Sequence, residues 1–166
     1  NMANTLNSTL GISEMIVSSG HKPGVNHFEK ELVKADKNIA KKIGVEEGAD
    51  VLVLKRIRTA DDKAVVYSMD YFVPKMTAQF LGVTDENVSI YSFMEDVCGI
   101  KIGSGIAEIL PVVAEKWLAE MLEIEVGEPA LMIKQVVTDI HGEPLLYAEE
   151  YLRSDSFKLL INRRRS

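Results

Sequence analysis

The chain has one cysteine, Cys98, so no internal disulfide can form, and a reducing cytoplasm is the favoured compartment. No apolar run approaches the roughly 20 residues that span a bilayer, and no membrane role is expected. The opening stretch "NMANTLNSTLG" has neither the basic nor the apolar region of a signal peptide. Basic residues are outnumbered, 19 against 25 acidic, for a formal charge of −6. They cluster once, at Arg163, Arg164 and Arg165, which reads as a solvated tail. Direct binding to a phosphate backbone is therefore not expected.

Motifs for chemistry are equally sparse. His21, His27 and His141 have no metal-ligand spacing, and a lone cysteine cannot complete a zinc site, so neither metal nor cofactor is expected. There is no nucleophile elbow, no P-loop and no G-x-G-x-x-G; "IGSGIAE" lacks the lysine and the spacing. Cys98 falls at a helix end, where the dipole disfavours a thiolate, and Trp117 reads as core. Nor does any carboxylate stand in surroundings that the sequence marks as shifting its pKa. No catalytic residue is expected.

The chain does contain itself twice. "ADKNIAKKIGVEEGADVLVLKRIRT" (35–59) aligns with "AEKWLAEMLEIEVGEPALMIKQVVT" (114–138) at a constant offset of 79. The offset matches Ala35 with Ala114, Gly48 with Gly127, Leu52 with Leu131 and Thr59 with Thr138. Past one inserted residue it becomes 80, matching Tyr67 with Tyr147, Asp70 with Glu150 and Tyr71 with Tyr151. One domain over 1–166 is expected, with internal halves at about 12–73 and 90–153. Each half reads as helix, strand, short amphipathic helix, then a long hairpin. Helices are expected near 12–19 and 90–98, the second opening at Ser89, and strands near 25–34 and 101–113. Pro111 would then lie at a sheet edge. Hairpin tips fall at "ADDK" and "DIHGEP", and "FKLLINR" suggests a last strand. Strands joined by hairpins imply an α+β fold with an antiparallel sheet and flanking helices.

Against this background "LKRIRTADDKAVVYSMDYF" (54–72) stands out. Alternation puts Leu52, Leu54, Arg56 and Arg58 on one face of a strand. The repeat gives Gln135 and Val137 at the positions of the arginines, so the sheet does not require charge there. Asp70 and Glu150 match across the copies. Arg56 and Arg58 could pair with Asp70 on a solvated face. They could instead join the helix start at Ser89 to form a pocket for a phosphate or carboxylate.

The chain resembles the UTRA domain, the effector-binding half of GntR-type transcriptional regulators. The pieces that carry the resemblance are "LGISEMIVSSGHKPG", "AKKIGVEEGADVLVLKRIRTADDKAV", "DYFVP", "SIYSFMEDVCGI" and "GEPLLYAEEYLRSDSFKL". It implies a chorismate-lyase-like fold, a small-molecule pocket, a homodimer, and control of a DNA-binding winged helix-turn-helix absent from these residues. It places ligand contacts on Arg56, Arg58, Ser89, Tyr91 and Ser13. Asp70 and Glu150, matched by the repeat, complete the candidate set. Leu146 and Leu152 stand where phosphosugar-binding relatives tend to be polar. The expectation is thus a far wall that is largely apolar apart from two isolated acids, Asp70 and Glu150, and an anionic effector with an apolar body or one that carries a donor for either acid. An enzyme of the chorismate-lyase type, with Asp70 or Glu150 moving a proton, is the alternative.

Overall fold

The computed structural model describes residues 2–5 and 11–165. Its centre is a six-stranded antiparallel sheet in the order β2-β3-β4-β7-β6-β5. The strands are β2 (Pro23–Lys34), β3 (Asp50–Ala60), β4 (Lys63–Phe72), β5 (Ile102–Val113), β6 (Pro129–Asp139) and β7 (Pro144–Arg153). Strands β2-β3-β4 and β5-β6-β7 form two consecutive three-stranded units that meet where β4 pairs with β7. In that pairing Met69 lies opposite Glu149, its own counterpart in the repeat. A pseudo-dyad therefore passes between these two residues. It relates Tyr67 to Tyr147, Tyr71 to Tyr151 and Asp70 to Glu150.

Local chemistry accounts for the connections. The β3–β4 tip uses two residues, Asp61 and Asp62, at φ 49° and 67°. That is the left-handed pair a primed two-residue hairpin turn requires, and Asp tolerates it better than most side chains. Helix α2 (Lys37–Ile43) begins at Asp36, whose carboxylate accepts from Ile39 N–H at 2.8 Å, and ends at Gly44 with φ 72°. Its repeat partner α5 (Lys116–Leu122) ends in the same conformation, but with Glu123 at φ 57°. The left-handed cap is kept where glycine is not.

Both faces of the sheet are covered, and β3 and β4 are buried at nearly every position. On one face lie α2 and α5, packed on β7 and β4 respectively. Trp117 of α5, expected in the core, is 41% exposed and sits edge-on to Tyr67 and Tyr151. On the other face lie α1 (Ile12–Ser18), α3 (Thr77–Leu81) and α4 (Ile90–Asp96). Ile12, Met15 and Ile16 of α1 pack with Val66 and Leu152. Phe80 of α3 stacks on Phe72 with ring centroids 3.9 Å apart. The sequence reading missed α3 and the 3-10 turn before it, Pro74–Met76, because the inserted segment has no counterpart in the repeat. It also missed β1 (Met2–Thr5), which pairs in parallel with β8 (Phe157–Leu160) in a separate two-stranded sheet. Pro111 lies on the edge strand β5, as expected for a residue that lacks an N–H for the ladder.

Candidate functional site

Between the sheet and the starts of α1 and α4 lies a pocket of about 480 Å³, counted out to its mouth. All seven residues singled out from the sequence line it: Ser13 from α1, Arg56 and Arg58 from β3, Asp70 from β4, Ser89 and Tyr91 at the start of α4, and Glu150 from β7. Pairing explains the floor. Arg56 lies opposite Ser68, which lies opposite Glu150, and Asp70 lies opposite Ala148 one pleat along. Side chains paired this way rise from the same side of the sheet.

The arginines are not on a solvated face. Arg56 is 2% exposed and Arg58 5%. Nor do they pair with Asp70: among the described residues neither guanidinium has a carboxylate oxygen within 4.0 Å. Arg56 donates from Nη1 to the carbonyl of Val88 at 2.8 Å and, more weakly, to that of Glu86 at 3.4 Å. Arg58 donates from Nη2 to Ser13 Oγ. The Nε of each, and the hydroxyl of Ser68, are buried without a hydrogen-bond partner among the described residues. Desolvation is the main effect on both guanidinium groups. It lowers the pKa of Arg56, and with repulsion from Arg56 it brings Arg58 down to about 10. Both remain cations at neutral pH, held in a site that does not neutralise them fully.

The acids contradict the sequence reading, which found no carboxylate in pKa-shifting surroundings. Burial first, and then the negative charge of Asp70, push Glu150 up to about 7, against the partial pull of Arg58 and Arg56. Asp70 is 7% exposed, and burial raises it too, opposed by the same arginines. Burial also raises the Tyr91 phenol, which therefore stays protonated and able to donate. These shifts were illegible because a strand pattern shows which face a carboxylate takes, not how much protein encloses it.

Two further expectations need correction. The far wall is less apolar than expected: Leu146 and Ala148 line the pocket beside the two expected acids, but Leu152 is packed under α1. Ser68, Asp70, Glu150 and Tyr91 give the pocket a polar interior. The start of α4 also matters less than its position suggested. The helix has seven residues, and the Ser89 hydroxyl already accepts from Ser92 N–H at 3.4 Å. Its dipole is small, and the two arginines carry the positive charge. One residue was missed: Glu14, beside Ser13, whose carboxylate reaches Ser89 Oγ at 3.3 Å. An acid adjacent to an expected contact was the available signal. No group of three His, Cys, Asp or Glu among the described residues could hold a metal ion.

The model of the UTRA domain family matches residues 18–158. The chain belongs to that family. This UTRA domain is 28% identical over 156 residues to the HTH-type transcriptional regulator GgaR of Escherichia coli, covering 92% of the chain and 60% of the regulator. It is 24% identical to the HTH-type transcriptional repressor NagR of Bacillus subtilis, covering 94% of the chain and 64% of the repressor. It thus spans less than two thirds of these relatives. Its fold is that of the effector domain of PhnF from Mycobacterium smegmatis, with a TM-score of 0.83 at 19% identity over 93% of this chain and 95% of that one. The mixed α+β class and antiparallel sheet expected from the hairpin pattern are the family's own. No helix among the described residues is long and apolar enough to cross a membrane.

Proposed function

We propose that this UTRA domain senses a small effector bearing a phosphate or carboxylate, and that the effector controls operator binding by a winged-helix unit outside these 166 residues. One observation carries the reading. Two arginines, each at least 95% buried, enter one pocket with unpaired Nε groups and no carboxylate within 4.0 Å among the described residues. Burying such groups costs stability, and an incoming anion would recover much of that cost. Arg56 and Arg58 hold the anion, and Ser13 and Ser89 flank it. Tyr91, Ser68, Asp70 and Glu150 face the body of the ligand, which should offer hydroxyl or amino donors to the two acids.

Native mass spectrometry of the purified domain should reveal a retained anion. Inorganic phosphate, acetate and phosphorylated or carboxylated sugars should raise its melting temperature where neutral sugars do not. A domain indifferent to every anion would overturn the reading. One feature favours the enzyme alternative: Glu150, near 7, is poised for proton transfer. The relatives favour the sensor, since they are transcriptional regulators. Conversion of a bound ligand to product would reverse that choice. The isolated domain should give no specific gel shift with DNA at physiological salt, in keeping with its charge of −6.

A homodimer belongs to the same proposal. The sheet has two edges, and they differ in protection. Strand β2 carries Glu31 and Lys34 in ion pairs with β3, and His27 beside Glu29 at 3.3 Å on its own strand. Strand β5 has one charge, Glu108, and leaves Ile106 83% and Val113 65% exposed. Despite Glu108 and Pro111, this edge is the more apolar and less charged of the two, and so the better suited to pair with another chain. Sedimentation should show a dimer, and Ile106→Lys should shift it towards monomer. A wild-type domain that stays monomeric at tens of micromolar would refute this part.

A further inference from the structure

Glu14 is the one charged pocket residue that the proposed function leaves without a role. It sits in the first turn of α1, where a carboxylate would ordinarily face water. Instead it turns into the pocket. Its Oε1 accepts from Ser89 Oγ at 3.3 Å, while Oε2 is buried with no hydrogen-bond partner among the described residues. A buried carboxylate oxygen without a donor is unfavourable unless a positive charge compensates it. Arg58, held by the neighbouring Ser13, attracts Glu14 through space but forms no ion pair with it, so this carboxylate oxygen is only partly compensated.

We propose that Glu14 is a built-in competitor at the anion site, so that an effector's anionic group must displace its carboxylate from Ser89 and from the pocket that Arg58 enters. This rests on the anion-site reading above. Ser89, which would flank the effector's charge, is already hydrogen-bonded to Glu14, and a second anion in the same pocket would be repelled by this carboxylate. The backbone leaves room for this arrangement. Gly11, the residue before α1, has no side chain, and a Cβ there would collide with Glu14 Oε2. Displacement therefore has a handle outside Glu14 itself. The consequence is a threshold: only a ligand whose anion outcompetes a tethered carboxylate fills the pocket, and binding it turns the first turn of α1 outward. Glu14 thus sets affinity by competition rather than by contact with the ligand.

The test is a titration of inorganic phosphate into the wild-type domain and the Glu14→Gln, Gly11→Ala and Arg58→Ala variants, followed by amide NMR shifts. Glu14→Gln should bind phosphate on the order of tenfold more tightly than the wild type, the scale expected when one close like charge is removed. Gly11→Ala, which pushes the carboxylate aside, should shift affinity in the same direction even if Glu14→Gln folds poorly. Wild-type affinity or weaker in both variants, with binding still lost in Arg58→Ala, would overturn the role of Glu14 and leave the anion site standing. Phosphate binding that survives Arg58→Ala, or none in any protein, would overturn the anion site and this inference with it.

Discussion

Arg58→Met should weaken effector binding by about 1.5–3 kcal/mol, the range for hydrogen bonds to a charged group, while leaving the ligand-free domain at least as stable as the wild type. The two halves of this expectation have one cause. Arg58 is 5% exposed, its Nε is unpaired among the described residues, and desolvation brings its pKa down from 12.5 to about 10. Keeping it charged at neutral pH therefore opposes folding, by up to about 3 kcal/mol if the whole shift counts. Methionine matches the aliphatic stem, fills most of its volume and carries no charge. The lost bond to Ser13 Oγ and the lost attraction for Asp70, Glu150 and Glu14 offset part of the gain. Urea unfolding and ligand titration of the same variant check both halves. Unchanged affinity would remove Arg58 from the site. A loss of several kcal/mol in stability would make the arginine a structural element.

The domain should lose stability between pH 5 and pH 8, and Glu150→Gln should remove most of that slope. Glu150 has an ordinary pKa of 4.5 when exposed and about 7 in the fold. Between those values the folded state holds a proton that the unfolded chain releases. The stabilisation is complete below 4.5 and disappears as pH rises through 7. The full shift corresponds to about 3 kcal/mol, reduced in practice because Glu150 keeps some contact with the open pocket. Asp70 is raised for the same first reason, burial, and adds in the same direction. Asp61, Asp139 and Asp155 are lowered, chiefly by hydrogen bonds, so their contributions fail only at more acid pH and lie outside this window. Chemical unfolding at a series of pH values measures the slope. A flat profile in the wild type, or an equal slope in Glu150→Gln, would show that this carboxyl stays ionised in the fold.

Much of the architecture was legible before any coordinates, for a definite reason. The repeat supplied two independent views of one unit, and hairpin and cap signals act over a few residues. "KNIAKKI" is helical from Lys37 to Ile43, and Ser89 caps α4 as its sequence position indicates. The segments that escaped notice have no second copy: α3 lies in an insertion, and β1 is defined by pairing with a strand at the far end of the chain. The candidate residues were found by alternation and family resemblance together, since neither alone draws Ser13, Arg58 and Glu150 to one place.

By itself the sequence determined the α+β class, the doubled unit, the face on which Arg56 and Arg58 lie, and the matching of Asp70 with Glu150. Periodicity and turn chemistry are properties of neighbours along the chain, so a string of residues carries them. Tertiary structure alone decided that the arginines are buried without an ion partner, that Glu150 titrates near 7, and that Glu14 reaches Ser89 across 75 positions of sequence. Each of these depends on how much water is excluded around a charge. That exclusion is produced jointly by α1, α4 and three strands, and no local stretch of sequence contains it.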